Sequence, residues 1–188
     1  MPSMKRLTEG RIAGLYVGNS KGAVKRPVSS VLLTLDGIEG DAHGGRTHKT
    51  GAREPAFRRG TLVANTRQIS LVSVEELKDV ASRLGITYID PAWVAANIAT
   101  EGAGPITQLT PGTLLRAPSG ATIYIAELNS PCRVAARLIA QHVTCEDASF
   151  VRHAKGRRGV VGFVYAPGAL QIGDELVVLQ AKTQPPAD

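Results

Sequence analysis

Cys132 is the residue whose chemistry is most sharply drawn by its neighbours. It stands in Asn129-Ser130-Pro131-Cys132-Arg133, after a strand-like run at 122–128 and before Val134, Leu138 and Ile139, which recur at helical spacing. Ser130 can cap that helix and Pro131 can open it. Cys132 then falls in the first turn, among unpaired backbone N–H groups at the positive end of the dipole. That position, with Arg133 adjacent, favours thiolate over thiol. A thiolate attacks sulfur and binds soft metals. A buried structural role is the commoner fate of a lone cysteine, and the strand–Ser–Pro–Cys–helix setting argues against it. Cys145 lacks such a setting and reads as structural, although twelve intervening residues would let it resolve an oxidised Cys132.

The second candidate is Gly40-Asp41-Ala42-His43-Gly44-Gly45. Glycines let the backbone approach a ligand and expose N–H groups, and Asp41 and His43 offer polar groups. The same composition also serves as a plain turn. His43 and His48 have no Cys or His partners at zinc spacing. Asn97, in Ala95-Ala96-Asn97-Ile98, reads as a turn or cap residue, or as a ligand group. Arg67-Gln68 precedes a strand and is either solvated or turned to a site. Lys155, Arg157 and Arg158 surround Gly156 before another strand, as an exposed loop or as a phosphate contact.

Holding these residues in place falls to short elements. Strand patterns lie at 11–17, 27–35, 68–72, 113–117, 122–128, 159–165 and 175–180, with turn signals at 102–105, 111–112, 119–120 and 167–168. The glycine-rich segment 36–51 and the polar 53–60 read as one long loop. A helix is predicted over 73–84. Ser73 and Glu76 form a capping box, Leu77, Val80, Ala81 and Leu84 an apolar stripe, and Gly85 a C-terminal cap. Asp90-Pro91 opens a shorter helix to about 96, and a third helix spans 131–141. The pattern predicts a mainly β, β-rich α+β fold, a barrel or sandwich with a few peripheral helices. It implies a single domain over 10–180, with flexible termini at 1–9 and 181–188.

The 188-residue chain is 43% apolar and only 4% aromatic, so Val, Ile, Leu and Ala must fill the core. Its net charge of +6 is either a solvated basic surface or an attraction for an anion. No aromatic-rich basic patch or nucleic-acid motif is present, which ranks a small anionic ligand above nucleic acid. No apolar run reaches the roughly 20 residues of a membrane helix, and the start lacks a secretory apolar region. The expectation is a cytoplasmic protein with both cysteines reduced and no membrane or nucleic-acid partner.

Taken together, these pieces resemble a stand-alone bacterial-type MOSC domain, the module at the C-terminus of eukaryotic molybdenum-cofactor sulfurases. The resemblance covers about residues 10–179. In family order it rests on Gly37-Ile38-Glu39-Gly40-Asp41-Ala42-His43-Gly44-Gly45, then Arg67-Gln68-Ile69-Ser70-Leu71 with Glu75, then Asn97-Ile98 with Gly102. Leu109-Thr110-Pro111-Gly112, Pro131-Cys132 and Pro167-Gly168…Gly173-Asp174 complete it. It implies a β-barrel and a molybdenum–pterin cofactor (molybdopterin), with Cys132 as molybdenum ligand or carrier of transferable sulfur. Asp41, His43, Gly44, Gly45, Arg67, Asn97, Arg133 and Arg158 are the implied cofactor-binding residues, and the basic charge suits the pterin phosphate.

Two reactions compete within this reading. One is sulfur delivery through a Cys132 persulfide, supplied by a pyridoxal-phosphate-dependent cysteine desulfurase. The other is two-electron reduction of a small N-hydroxylated substrate. No flavin or iron–sulfur motif is present, so a reductase would need a separate electron-transfer protein. The alternative is a non-catalytic module that stores or hands over the cofactor. Relatives that reduce N-hydroxylated bases carry an Arg before the Asn-Ile pair, where this chain has Ala95-Ala96, and have a longer C-terminal helical region.

Overall fold

Short apolar runs broken by glycine and proline can bury their faces only by pairing, and they do so around a closed sheet. The computed structural model describes residues 4–144 and 147–181. Its strands begin with β1 (Met4–Val17), β2 (Arg26–Val28), β3 (Ser30–Thr34), β4 (Gly37–Ile38), β5 (Thr47–Lys49), β6 (Leu62–Ala64) and β7 (Ile69–Ser73). They continue with β8 (Ile98–Glu101), β9 (Leu114–Arg116), β10 (Thr122–Leu128), β11 (Val160–Ala166), β12 (Gly168–Gln171) and β13 (Glu175–Ala181). Helix α1 (Val74–Leu84) follows β7, while α2 (Arg133–Ala140) and α3 (Asp147–His153) lie between β10 and β11.

Seven strands form a barrel in the order β13-β9-β10-β11-β7-β8-β1, closed by the pairing of β1 with β13. Strand β2 extends the sheet beyond β1. Closure depends on the length of β1. Its first half, Met4 to Arg11, pairs with β13, and its second half pairs with β8 and β2. Register shifts at Arg6/Thr8 and Ile12/Gly14 let one strand bend between these neighbours. Only β7 and β8 run parallel among the barrel pairings, with Leu71 opposite Ile98. A small sheet of β12, β3 and β4 and the β5–β6 hairpin lie outside the barrel.

Alternation along the strands sorts the core into two compartments. Leu15, Ile69, Leu71, Ile98, Ile123, Ile125 and Val178 fill one buried cluster with side chains from around the barrel. Their chain neighbours Val72 and Ala99 face the other way and pack with Leu77 and Val80 of α1, Ala135, Ala136 and Ile139 of α2, and Phe150 of α3. The helices therefore cover one side of the barrel, and the loops entering and leaving them border the same region.

The mainly β fold with peripheral helices is as expected. So is α1, whose Ser73 side chain accepts from Glu76 N–H and whose Gly85 closes it at φ 67°. Other expectations need correction. Residues 4–9 are not a loose terminus, since Met4 is already opposite Ala181. The β5–β6 hairpin escaped notice because each strand is only three residues long and mostly exposed, too short for an alternation to show. Segment 90–96 is a series of turns. Asp90 accepts from Ala92 N–H at 2.8 Å as a cap should, but Ala95 turns to φ 54°, which no helix continues through. Helix α2 starts at Arg133, two residues later than an opening at Pro131 predicts, and Cys132, not Ser130, is its extended N-cap at φ −139°. Cys145, with its proposed pairing behaviour, lies outside the described residues.

Gly159 shows how tightly the barrel is drawn beside the functional loops. It stands at φ 85°, and a Cβ there would lie 1.9 Å from the Leu71 carbonyl oxygen. Gly159→Ala must therefore combine left-handed strain with a backbone clash. The expected loss is on the order of 3 kcal/mol, read as a lower urea midpoint at unchanged slope. A midpoint matching the parent's would refute the close β7–β11 approach.

Candidate functional site

Loops at the ends of β1, β7, β10 and the turns before β8 surround a cleft of about 870 Å³. His43 and Gly44 come from the glycine loop, Arg67 from the entry to β7, and Asn97 from the entry to β8. Cys132 comes from the α2 cap and Arg158 from the turn before β11. Six of the nine residues singled out in the sequence thus line one cavity, although more than a hundred positions separate the first from the last.

Asp41 lies behind that lining. Its side chain is wholly buried, and its two oxygens accept five hydrogen bonds. The donors are Gly18 N–H (3.0 Å), Lys25 Nζ (2.7 Å), Asn97 Nδ2 (2.8 Å) and both the backbone N–H and Nδ1 of His43 (3.0 Å each). Burial pushes the Asp41 carboxyl up, but the His43 bond, the Lys25 ammonium and the Gly18 N–H outweigh it and hold it well below the usual carboxylate range. An ionised carboxylate only accepts, so His43 Nδ1 carries its proton and Nε2 is left for the cleft.

Asn97 is similarly engaged. Its Oδ1 accepts from Ser70 N–H at 3.1 Å, and its Nδ2 donates to the Tyr16 carbonyl as well as to Asp41. Both Asp41 and Asn97 therefore hold the cleft wall together, and neither has a free donor to offer a ligand. Arg67 pairs with Glu127 and reaches Asn129 Oδ1 at 3.5 Å, while Asn129 N–H donates to the Gly159 carbonyl at 3.0 Å. Those bonds fix the Asn129–Cys132 loop to the turn that carries Arg158.

Arg158 is the least satisfied group in the cleft. It is 6% exposed, its Nη2 donates to the Val94 carbonyl, and its Nη1 is buried with no partner. Burial pushes its pKa down to about 10, against the pull of Cys132 and with the push of Arg67 and Arg53. It remains a guanidinium at neutral pH. On the hairpin, in the same lining, His48 Nε2 meets Glu54 Oε1 at 3.3 Å, and its Nδ1 is buried without a partner. The Gly51 N–H, then His48, hold the Glu54 carboxyl below its usual range, so Nε2 bears the proton and Nδ1 offers a lone pair. The cleft wall thus has one unmet donor and one unmet acceptor. Lys21, Lys49 and Arg53 add positive charge to the lining, against Glu54 alone.

A family model, the MOSC domain, matches residues 40–177, which run from the glycine loop through Cys132 and Arg158 into β13. The chain belongs to the MOSC domain family. It is 40% identical over 177 residues to YuaD of Bacillus subtilis (strain 168), covering 93% of this chain and 92% of YuaD, whose name points to metal–sulfur cluster biosynthesis. A crystal structure of that YuaD protein superposes with a TM-score of 0.89 at 38% identity, covering 96% of this chain and all of that one. YiiM from Escherichia coli shares the fold at a TM-score of 0.61 and 18% identity, over 93% of this chain and 72% of that one.

Besides Asp41, two of the implied binding residues lie outside the lining of the cleft. Arg133 is exposed and outside the lining, because α2 turns it to solvent. Gly45 serves the loop's own closure, its N–H donating to the Asp36 carbonyl at 2.6 Å and its carbonyl accepting from Gln68 Nε2 at 3.2 Å. Sequence reasoning missed Lys25, His48 and Glu54. Lys25-Arg26-Pro27 looks like any solvated basic turn, and nothing local shows that Asp41 will bury its ammonium. His48 was dismissed for want of zinc partners, when its partner is a carboxylate six residues on. Among the described residues no group of three or more His, Cys, Asp or Glu could hold a metal by itself.

Asp41 supplies a pH test. Its folded pKa lies below the unfolded value near 4, so its contribution is complete above about pH 5 and is lost as pH falls through the folded value. Asp41→Asn should cost on the order of 3 kcal/mol at pH 7, leaving Lys25 buried and unpaired. The gap to the parent should narrow steadily below about pH 4 in urea titrations. A gap independent of pH would rule out the charged hub.

Proposed function

We propose that this protein binds an anionic molybdenum–pterin cofactor in its cleft and uses Cys132 to carry sulfur for it. The observation behind this reading is the unmet Arg158 Nη1 in the same cleft as the free thiol of Cys132. A buried unpaired guanidinium calls for an anion, and a lone thiolate is a soft ligand for a metal that brings its other ligands with it.

The residues fit the group. A pterin presents N–H donors, which His48 Nδ1 can accept, and its phosphate suits the exposed Lys49 and Arg53 at the cleft rim. Molybdenum held by a pterin dithiolene would supply a site that accepts a further sulfur. Cys132 presents that sulfur from a half-buried position, fixed through Asn129 and the α2 cap. Arg158, desolvated and held by the Val94 carbonyl, keeps its field undiluted by water at that point. The N–H donors of Asn97 are committed to Asp41 and Tyr16, so it shapes the wall.

Sulfur carriage is preferred to N-hydroxyl reduction because Ala95-Ala96 replace the arginine of reducing relatives and because the YuaD name concerns metal–sulfur chemistry. A cysteine desulfurase is one sulfur donor that would serve this reading. No helix among the described residues is long and apolar enough to cross a membrane.

Cys132→Ser tests the reading. Serine has nearly the same volume, so stability should change by about 1 kcal/mol or less. Protein purified from a host that makes molybdenum cofactor should carry pterin and molybdenum in the parent, with molybdenum depleted in the variant. Persulfide labelling by a desulfurase should fall to background. Retention of pterin, molybdenum and labelling alike by Cys132→Ser would remove Cys132 from the function. Pterin retained with no sulfur transfer in either protein would favour a storage module.

A further inference from the structure

Resting on the reading of Cys132 as a sulfur carrier, we infer that Arg158 and Cys132 form an acceptor site for a small sulfur oxyanion of the thiosulfonate class, thiosulfate being its simplest member. Such a donor needs a nucleophilic thiolate and a separate cation for its sulfonate oxygens. The cleft holds both. Cys132 is free and half-buried, and Arg158 is 6% exposed with Nη1 buried and unpartnered.

Arg158 differs from the other cations of the molecule. Lys25 is equally buried but spends its charge on Asp41 at 2.7 Å. Arg67 pairs with Glu127, and Arg157 with Asp79 at 2.5 Å. Arg158 has only the neutral Val94 carbonyl as a partner for Nη2. Its charge senses Cys132, and Arg67 and Arg53 add to the positive field around it. A site with excess positive charge beside a thiolate suits a dianion whose leaving group is also a dianion.

The step is balanced without an external oxidant. The Cys132 thiolate attacks the sulfane sulfur, forming a Cys132 Sγ–S bond. The bond between that sulfur and the sulfonate sulfur breaks, and its electron pair leaves with sulfite. The products are the Cys132 persulfide anion and sulfite, with the same total charge as thiolate and thiosulfate. Nη1 donates to the sulfonate oxygens, where negative charge accumulates as sulfite departs.

The test uses reduced, cofactor-free full-length protein, thiosulfate, and a neutral organic trisulfide as a second donor. The parent should release sulfite in equal amount to persulfide, seen as a mass gain of one sulfur on the peptide holding Cys132. Arg158→Met should lose about 100-fold in thiosulfate kcat/KM, the usual effect of removing one oxyanion donor. Its reaction with the trisulfide should change less than about threefold, because a neutral donor needs no cation. Equal losses on both donors would make Arg158 a structural residue and overturn the proposal.

Should Arg158→Met fail to fold, the parent alone decides. Sulfate should compete with thiosulfate at constant ionic strength, and no competition would overturn the site. If the trisulfide loads Cys132 but thiosulfate releases no sulfite, the oxyanion inference fails while sulfur carriage stands. If neither donor loads Cys132, both fail.

Discussion

The cleft depends on one buried carboxylate. Asp41 accepts from Gly18 and Lys25 of the β1–β2 loop, from His43 of its own loop and from Asn97 before β8, three separate stretches of chain. An unpaired buried charge costs several kcal/mol, whereas a carboxylate with five donors is fully satisfied. The glycine loop therefore cannot move away from the end of β1 or from the turn before β8 without stranding that charge. Gln68 acts from the other side. Its Nε2 donates to the Leu35 and Gly45 carbonyls, and its Oε1 accepts from Val164 N–H at 2.9 Å. Between them, these two side chains fasten an irregular loop to a regular barrel.

The same contrast separates the architecture of the cleft from its chemistry. Asp41, Lys25, Asn97 and Gln68 are buried polar groups whose partners are all protein atoms. Arg158 and His48 line the same cavity, but each keeps one atom without a partner. In a folded protein most buried polar groups are paired, so these two exceptions are what the proposed ligand would complete. As one donor and one acceptor in a cavity that also holds Cys132, they narrow the proposed ligand more than positive charge alone would.

Much of this was legible in the sequence where local chemistry decides local structure. The Ser73 cap and Gly85 determine α1 by short-range hydrogen bonds, although the Glu76 carboxylate turns to Thr107 and does not close the box, and Cys132 was recognisable from the strand-to-helix turn that carries it. The glycine loop, Arg67, Asn97 and Arg158 could be named but their roles could not be separated, because roles depend on which partners sit across the cleft. Asn97 read as a turn or cap residue, or as a ligand group, and its amide is engaged as a strut by Ser70, Tyr16 and Asp41. Lys25 looked solvated and is buried. The β5–β6 hairpin stayed hidden because three-residue strands are too short to show a period. Helix α3, Asp147–His153, is too short for its apolar spacing to stand out.

The turn at Ala95 shows how such a site can be held open. Its φ of 54° is unusual for a residue with a Cβ and costs on the order of 1 kcal/mol. The preceding carbonyl, that of Val94, takes the Arg158 Nη2 bond. The Val94 carbonyl beside this turn holds one end of the guanidinium, and Nη1 at the other end stays unpaired. A carboxylate in place of that carbonyl would have neutralised Arg158 as Asp41 neutralises Lys25. A neutral acceptor fixes the side chain but leaves its charge unspent, which is the condition the proposed anion site beside Cys132 requires.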